Sequence, residues 1–149
     1  MSVSVKEVQR AIAIKIGDLT GFREVRQLPE FFGRTQNTLA HLGFAVEVSN
    51  SQQANERQRI AVGLYVDTSV RVKIAYRLRP HDLVLDYGNA LDKEQQVIQA
   101  VMHRNFAKGI EVRFLRASRR TPDSQEYLIS EIELQALPVS YTHLTLPTT

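Results

Sequence analysis

The chain has 149 residues, 43% of them hydrophobic and 23% charged, enough for one buried core without covalent staples. It contains no cysteine, which excludes disulfides, thiolate metal sites and cysteine nucleophiles. Nineteen Lys and Arg against sixteen Asp and Glu leave a net charge of +3, short of the dense basic stripe that would argue for nucleic-acid binding by itself. No apolar run approaches the roughly 18 residues of a membrane span, and Met1-Ser2-Val3-Ser4 lacks a signal-peptide core, so no membrane partner is expected.

Ser4-Val5-Lys6-Glu7 has the S-x-x-E form of a capping box, in which side chains satisfy orphan amides of the first helical turn. Val8, Ile12, Ile16 and Leu19 recur at helical spacing, so a helix is expected, with Gly21 as its stop. From Phe22 to Leu42 the periodicity is poor, and Pro29 opens at most a short helix through Phe31 and Phe32. Gly43 to Val48 alternates and reads as a strand. Ser49 to Arg59, without one large apolar residue, reads as a mobile loop or hairpin tip. A second strand is expected from Ile60 to Leu78, broken at Gly63 or Asp67-Thr68. Its part Val70-Arg71-Val72-Lys73-Ile74-Ala75-Tyr76-Arg77-Leu78 alternates apolar with mostly basic residues, giving one buried and one wet face.

Asp86 is expected to cap a helix reaching Asn105, with Tyr87, Leu91, Ile98, Val101 and Met102 along its buried stripe. Ile110, Val112 and Phe114 alternate with Glu111 and Arg113, and Thr121-Pro122-Asp123-Ser124 is turn chemistry. Leu128, Ile132, Leu134 and Ala136 share one face of a last strand, with Glu131 and Glu133 on the other. The order α-β-β-α-β-β with hairpin-like connections predicts an α+β fold: a mainly antiparallel sheet with helices packed on one face. Residues 1–138 are expected to form one domain. Residues 139–149, Val-Ser-Tyr-Thr-His-Leu-Thr-Leu-Pro-Thr-Thr, resemble translated read-through into a sequencing-library adapter and are set aside as a non-native tail, His143 with them.

Catalytic signatures are missing. There is no G-x-S-x-G, no phosphate-cradling glycine motif and no calcium loop. His41, His81 and His103 sit in no recognisable setting, and Asp82, Asp86 and Asp92 are merely close in sequence. No catalytic, metal or cofactor residue is assigned, and no enzyme activity is expected. The basic residues are the candidates. Arg71, Lys73, Arg77 and Arg79 share one parity, while Arg116, Arg119 and Arg120 cluster before the last turn. Adjoining, the two sets would form a cationic patch for phosphates or for an acidic protein surface. No aromatic alternates with these cations, so a solvated face or protein contact is favoured over nucleic acid. Arg71, Lys73, Arg77, Arg79, Arg119 and Arg120 are therefore the candidate interface or anion-contacting residues. A small nucleic-acid-binding accessory domain using the basic strand face is the alternative function.

Leu42-Gly-Phe-Ala-Val46, Arg71-Val-Lys-Ile-Ala-Tyr-Arg-Leu-Arg-Pro80, Asp86-Tyr-Gly-Asn-Ala-Leu-Asp92 and Tyr127-Leu-Ile-Ser-Glu-Ile-Glu-Leu134 together resemble phage structural proteins. The family they are most similar to is the tail terminator, or tail completion and head–tail joining, proteins of long-tailed phages. The resemblance is one of layout from about Leu42 to Leu137 and includes no diagnostic motif. It implies a subunit that closes into a ring, usually a hexamer, caps the tail tube and offers a surface to head-connector proteins. It further implies a virion location after assembly in the host cytoplasm, no cofactor and no chemistry.

Overall fold

A computed structural model describes residues 4–25, 41–53, 66–102, 110–121 and 126–138. The short helix expected after Pro29 lies outside the described residues, as do residues 54–65, His103, the turn from Pro122 to Gln125, and the 139–149 tail.

Helix α1 spans Val5–Gly17. The Ser4 hydroxyl oxygen accepts the Glu7 amide at 3.1 Å, so the amide half of the expected capping box forms. Glu7 does not reach back to the Ser4 amide; its carboxylate accepts the Ser4 hydroxyl instead, at 3.3 Å. Val8, Ile12, Ala13 and Ile16 form the buried stripe. Each large aliphatic side chain taken out of water there contributes about 1.5–3 kcal/mol. The helix stops at Gly17, four residues before the expected Gly21, because Asp18 already makes the capping bond to the Ile14 carbonyl. Gly21 instead turns the chain, at φ +92°, into strand β1, Arg23–Glu24.

That two-residue strand corrects the expected order to α-β-β-β-α-β-β. Strand β1 lies parallel to the start of β2, pairing Arg23 with Gly43 and Glu24 with Phe44. It was illegible because two residues carry no periodicity. Strand β2 runs Gly43–Gln53, and β3 runs Val66–Arg77. Residues 49–53, expected in a loop, extend the β2 strand past a bulge between Val48 and Asn50. The expected break at Asp67-Thr68 does not occur either; both residues are paired, with Gln52 and Ser51. Ladder hydrogen bonds carry these polar arms, where apolar alternation gives no signal.

After β3 a 3-10 turn, Pro80–Asp82, leads into helix α2, Leu83–Val101. Strands β4, Ile110–Arg120, and β5, Tyr127–Pro138, complete a five-stranded sheet in the order β1-β2-β3-β5-β4. The three long pairings are all antiparallel. The fold is mixed α/β: a mostly antiparallel sheet with two helices among the described residues. Both helices feed one core, where Ile12 and Ile16 of α1 and Val97 and Val101 of α2 meet Phe44, Val72, Ile132 and Leu134 of the sheet. No helix among the described residues is long and apolar enough to cross a membrane.

The burial of α2 departs from expectation. Its sheet-facing residues are Asp86, Ala90, Glu94, Val97 and Val101, while Tyr87 and Met102 are exposed. The helix is rotated relative to its apolar pattern because two carboxylates face inward, each held by an arginine. Asp86 is consequently no cap; Asp82 occupies that position and makes no side-chain capping bond.

Candidate assembly surface

The sheet face turned away from the two helices carries a charge ladder, next to a second buried cluster of Ala45, Ala75, Tyr127 and Ile129 on the same face. Glu47 of β2 stands opposite Arg71 of β3, Arg71 opposite Glu133 of β5, and Glu133 opposite Arg116 of β4. The Arg71 Nε lies 3.6 Å from a Glu133 oxygen, and Arg116 bonds the other oxygen of the same carboxylate. One step along, Lys73 pairs with Glu131 at 3.6 Å. Arg71 and Lys73 of β3 are thus each matched by a carboxylate of β5, while Arg77 stands opposite Tyr127. Opposite charges at directly opposed positions stabilise a sheet by a few tenths to about 1 kcal/mol per pair.

The other candidates separate. Arg79 lies past the end of β3 and binds Asp86: its backbone amide donates to one carboxylate oxygen at 2.7 Å, and its guanidinium spans both oxygens at 3.0 and 3.1 Å. These bonds hold the Asp86 carboxyl below its ordinary range and raise Arg79. Asp82 sits 3.6 Å from the same guanidinium. Arg119 points to the opposite face and bonds both oxygens of the buried Glu94, which raises its own pKa. Arg77 and Arg120 have no ion-pair partner among the described residues. They stand at one end of the face away from the helices, across from Tyr127 and Ile129 of β5, which are buried there with Ala45 and Ala75. The six residues do not converge on one anion site.

At that same end of the sheet α2 begins with Leu83, Val84 and Leu85 in water. Val84 is 90% exposed, and Tyr87 follows one turn later at 46%. Four large apolar side chains on one exposed turn are unusual enough to mark a contact surface. Sequence pattern alone misses them, because it places the helix start three residues late and turns Tyr87 inward.

Among the described residues, neither sheet margin is paired with a further strand along most of its length. Beyond Phe44, β2 has no neighbouring strand among the described residues, and the Val46 carbonyl there accepts the Gln9 side-chain amide at 3.0 Å. An open cleft of about 940 Å³ lies between this margin and α1, with Val5, Val25, Val46 and Val48 as its apolar lining. On the opposite margin, β4 is the terminal strand and exposes Phe114 and Leu115 at a bulge.

A smaller cleft of about 310 Å³ lies over the β3–α2 joint, lined by His41, Tyr76, Arg77, Arg79, Asp86 and Asn89. His41 Nδ1 accepts the Arg77 amide at 3.2 Å, and its ring meets Tyr76 edge-on at 4.5 Å. Burial pushes the imidazole below its ordinary pKa, against the opposing pull of Asp86. The neutral ring is an acceptor here, and the nearby carboxylate is already consumed by Arg79, so this cleft positions the joint. No group of three or more metal-ligating side chains converges among the described residues. No protein-family model and no curated protein matches the chain.

Proposed function

We propose that this chain is a phage virion structural protein of the tail terminator, or head–tail joining, type: an α+β subunit that forms a ring capping the tail tube. The observation that carries the reading is the exposed apolar turn Leu83-Val84-Leu85, followed by Tyr87, at the start of α2, with Arg77 a few residues upstream at the end of β3 and without an ion-pair partner among the described residues. An apolar centre with a charged rim is the composition of a protein-docking surface. On one end of a ring it would seat on a tube ring with acidic rim groups, and in a terminator the opposite end would offer no further tube-type surface. Polymerisation stops by that asymmetry, and no chemistry is needed. Matched charges on β3 and β5 also support a protein-contact role over a phosphate-binding one, since a cation already paired releases little on meeting DNA.

Native mass spectrometry over a wide concentration range, with negative-stain microscopy of the largest species, tests the reading. One dominant closed oligomer with annular particles is expected. A strict monomer at every concentration would overturn it.

A further inference from the structure

The two margins of the sheet, unpaired along most of their length among the described residues, are unlike and complementary. The charged row on the face away from the helices reads Glu47, Arg71, Glu133, Arg116 from β2 to β4, alternating in sign at every step. It therefore ends on an anion at the β2 margin and on a cation at the β4 margin. The adjacent row on the helix-covered face reads Val48, Val70, Leu134, Phe114 and ends on the partly exposed Phe114 at the β4 margin. At the other margin it ends on Val48, in the cleft beside α1. Both rows break off with the partner that the opposite margin lacks.

We infer that the β4 margin of one copy docks against the β2 margin of the next, in antiparallel register, so that Arg116 meets Glu47 and Phe114 and Leu115 enter the valine-lined cleft of the neighbour. The inference rests on the ring reading above and supplies its lateral contact. Strand direction permits it. Strands β2 and β4 run oppositely within the sheet, because three successive antiparallel pairings separate them. Rotation about an axis along the strands preserves that opposition between copies. The contact is heterologous, with a different surface on each side, as a closing ring requires. It also covers an edge strand whose bare amides and carbonyls would otherwise invite unspecific pairing. The bulge contributes by adding Leu115 between Phe114 and Arg116, so that both the charged and the apolar row reach the margin together.

The absence of native cysteine makes a direct test available. Within one copy, positions 47 and 116 are three strand spacings apart, about 14 Å, too far for a disulfide. The double variant Glu47→Cys/Arg116→Cys, oxidised at the concentration where the oligomer forms, is expected to give a ladder of covalent multimers ending at ring size. Each single variant should stay uncrosslinked alone, and the two mixed should give only dimers. Self-crosslinking of either single variant would mean a two-fold contact and overturn the inference. An annular oligomer whose double variant does not crosslink would overturn the edge pairing while leaving the ring reading intact. A monomer at every concentration would overturn both.

Discussion

Arg119 grips the buried carboxylate of Glu94, and it faces that helix only because Leu115 is an extra residue in β4. Before the bulge the even-numbered residues Ile110 and Val112 face the core; after it Ala117 stands opposite the core residue Ile132. The bulge thereby turns Arg119 inward and Arg116 outward, re-aiming the strand at the cost of one unpaired residue.

Arg119→Met is expected to lower unfolding stability by about 1–3 kcal/mol, the range for a buried acceptor left unsatisfied. The half-solvated position of the guanidinium keeps the loss below that of a wholly buried pair. Adding Glu94→Leu should recover most of it, because two apolar partners leave nothing unpaired. Urea unfolding of the two single variants and the double variant checks this as a thermodynamic cycle.

Asp86 carries its own acid signature. Its pKa is held below the unfolded value by the Arg79 bonds, so its contribution is complete above the ordinary carboxylate pKa. It is lost as pH falls from there through the lower, folded value. Asp86→Asn is expected to be less stable at pH 7 and to show a flatter acid limb than the parent. Asp82→Asn, its carboxylate only 3.6 Å from the same guanidinium, should change both far less.

His41 titrates in a higher window. Burial lowers its folded pKa below the ordinary 6.5, so the unfolded chain binds more protons and stability falls as pH drops from about 6.5. Protonation would also remove the acceptor for the Arg77 amide. His41→Phe keeps an aromatic ring beside Tyr76 and should abolish this slope between pH 7.5 and 5. Unfolding midpoints across that range decide it; an unchanged slope would refute the assignment.

Two glycines should respond in opposite ways. A Cβ on Gly21 would meet Leu42 Cδ1 at 3.0 Å from a left-handed backbone, so Gly21→Ala is expected to cost more than about 1 kcal/mol. Gly88, inside α2, has nothing within 4 Å of the same atom, and Gly88→Ala should stabilise by up to about 1 kcal/mol. Thermal melts of both variants settle the comparison.

Alternating strands are the legible part of the sequence. The parity of Val70, Val72 and Ile74, and of Leu128, Ile132 and Leu134, puts that face inside as expected, but the other face is wet only in part: Ala45, Ala75, Tyr127 and Ile129 are buried on it. The rotation of helix α2 is not legible, because apolar patterning keeps acids out of the core, and only Arg79, seven residues upstream, and the distant Arg119 make Asp86 and Glu94 tolerable there. The six cations are readable as a set but not as destinations. Arg71 and Lys73 find β5 carboxylates, Arg79 and Arg119 find α2 carboxylates, and only Arg77 and Arg120 remain at the rim. A one-residue bulge leaves no mark in composition, yet it decides the direction of every side chain after Leu115.

The pairings of Asp86 and Glu94 act as two rivets along a single helix, eight residues apart, one anchored in the β3–α2 joint and the other to strand β4. A helix pinned once can roll about its pin; one pinned twice can neither roll nor slide. Leu83, Val84 and Leu85 are therefore presented in a fixed attitude, ready before any partner arrives, and little conformational entropy would be lost on seating them.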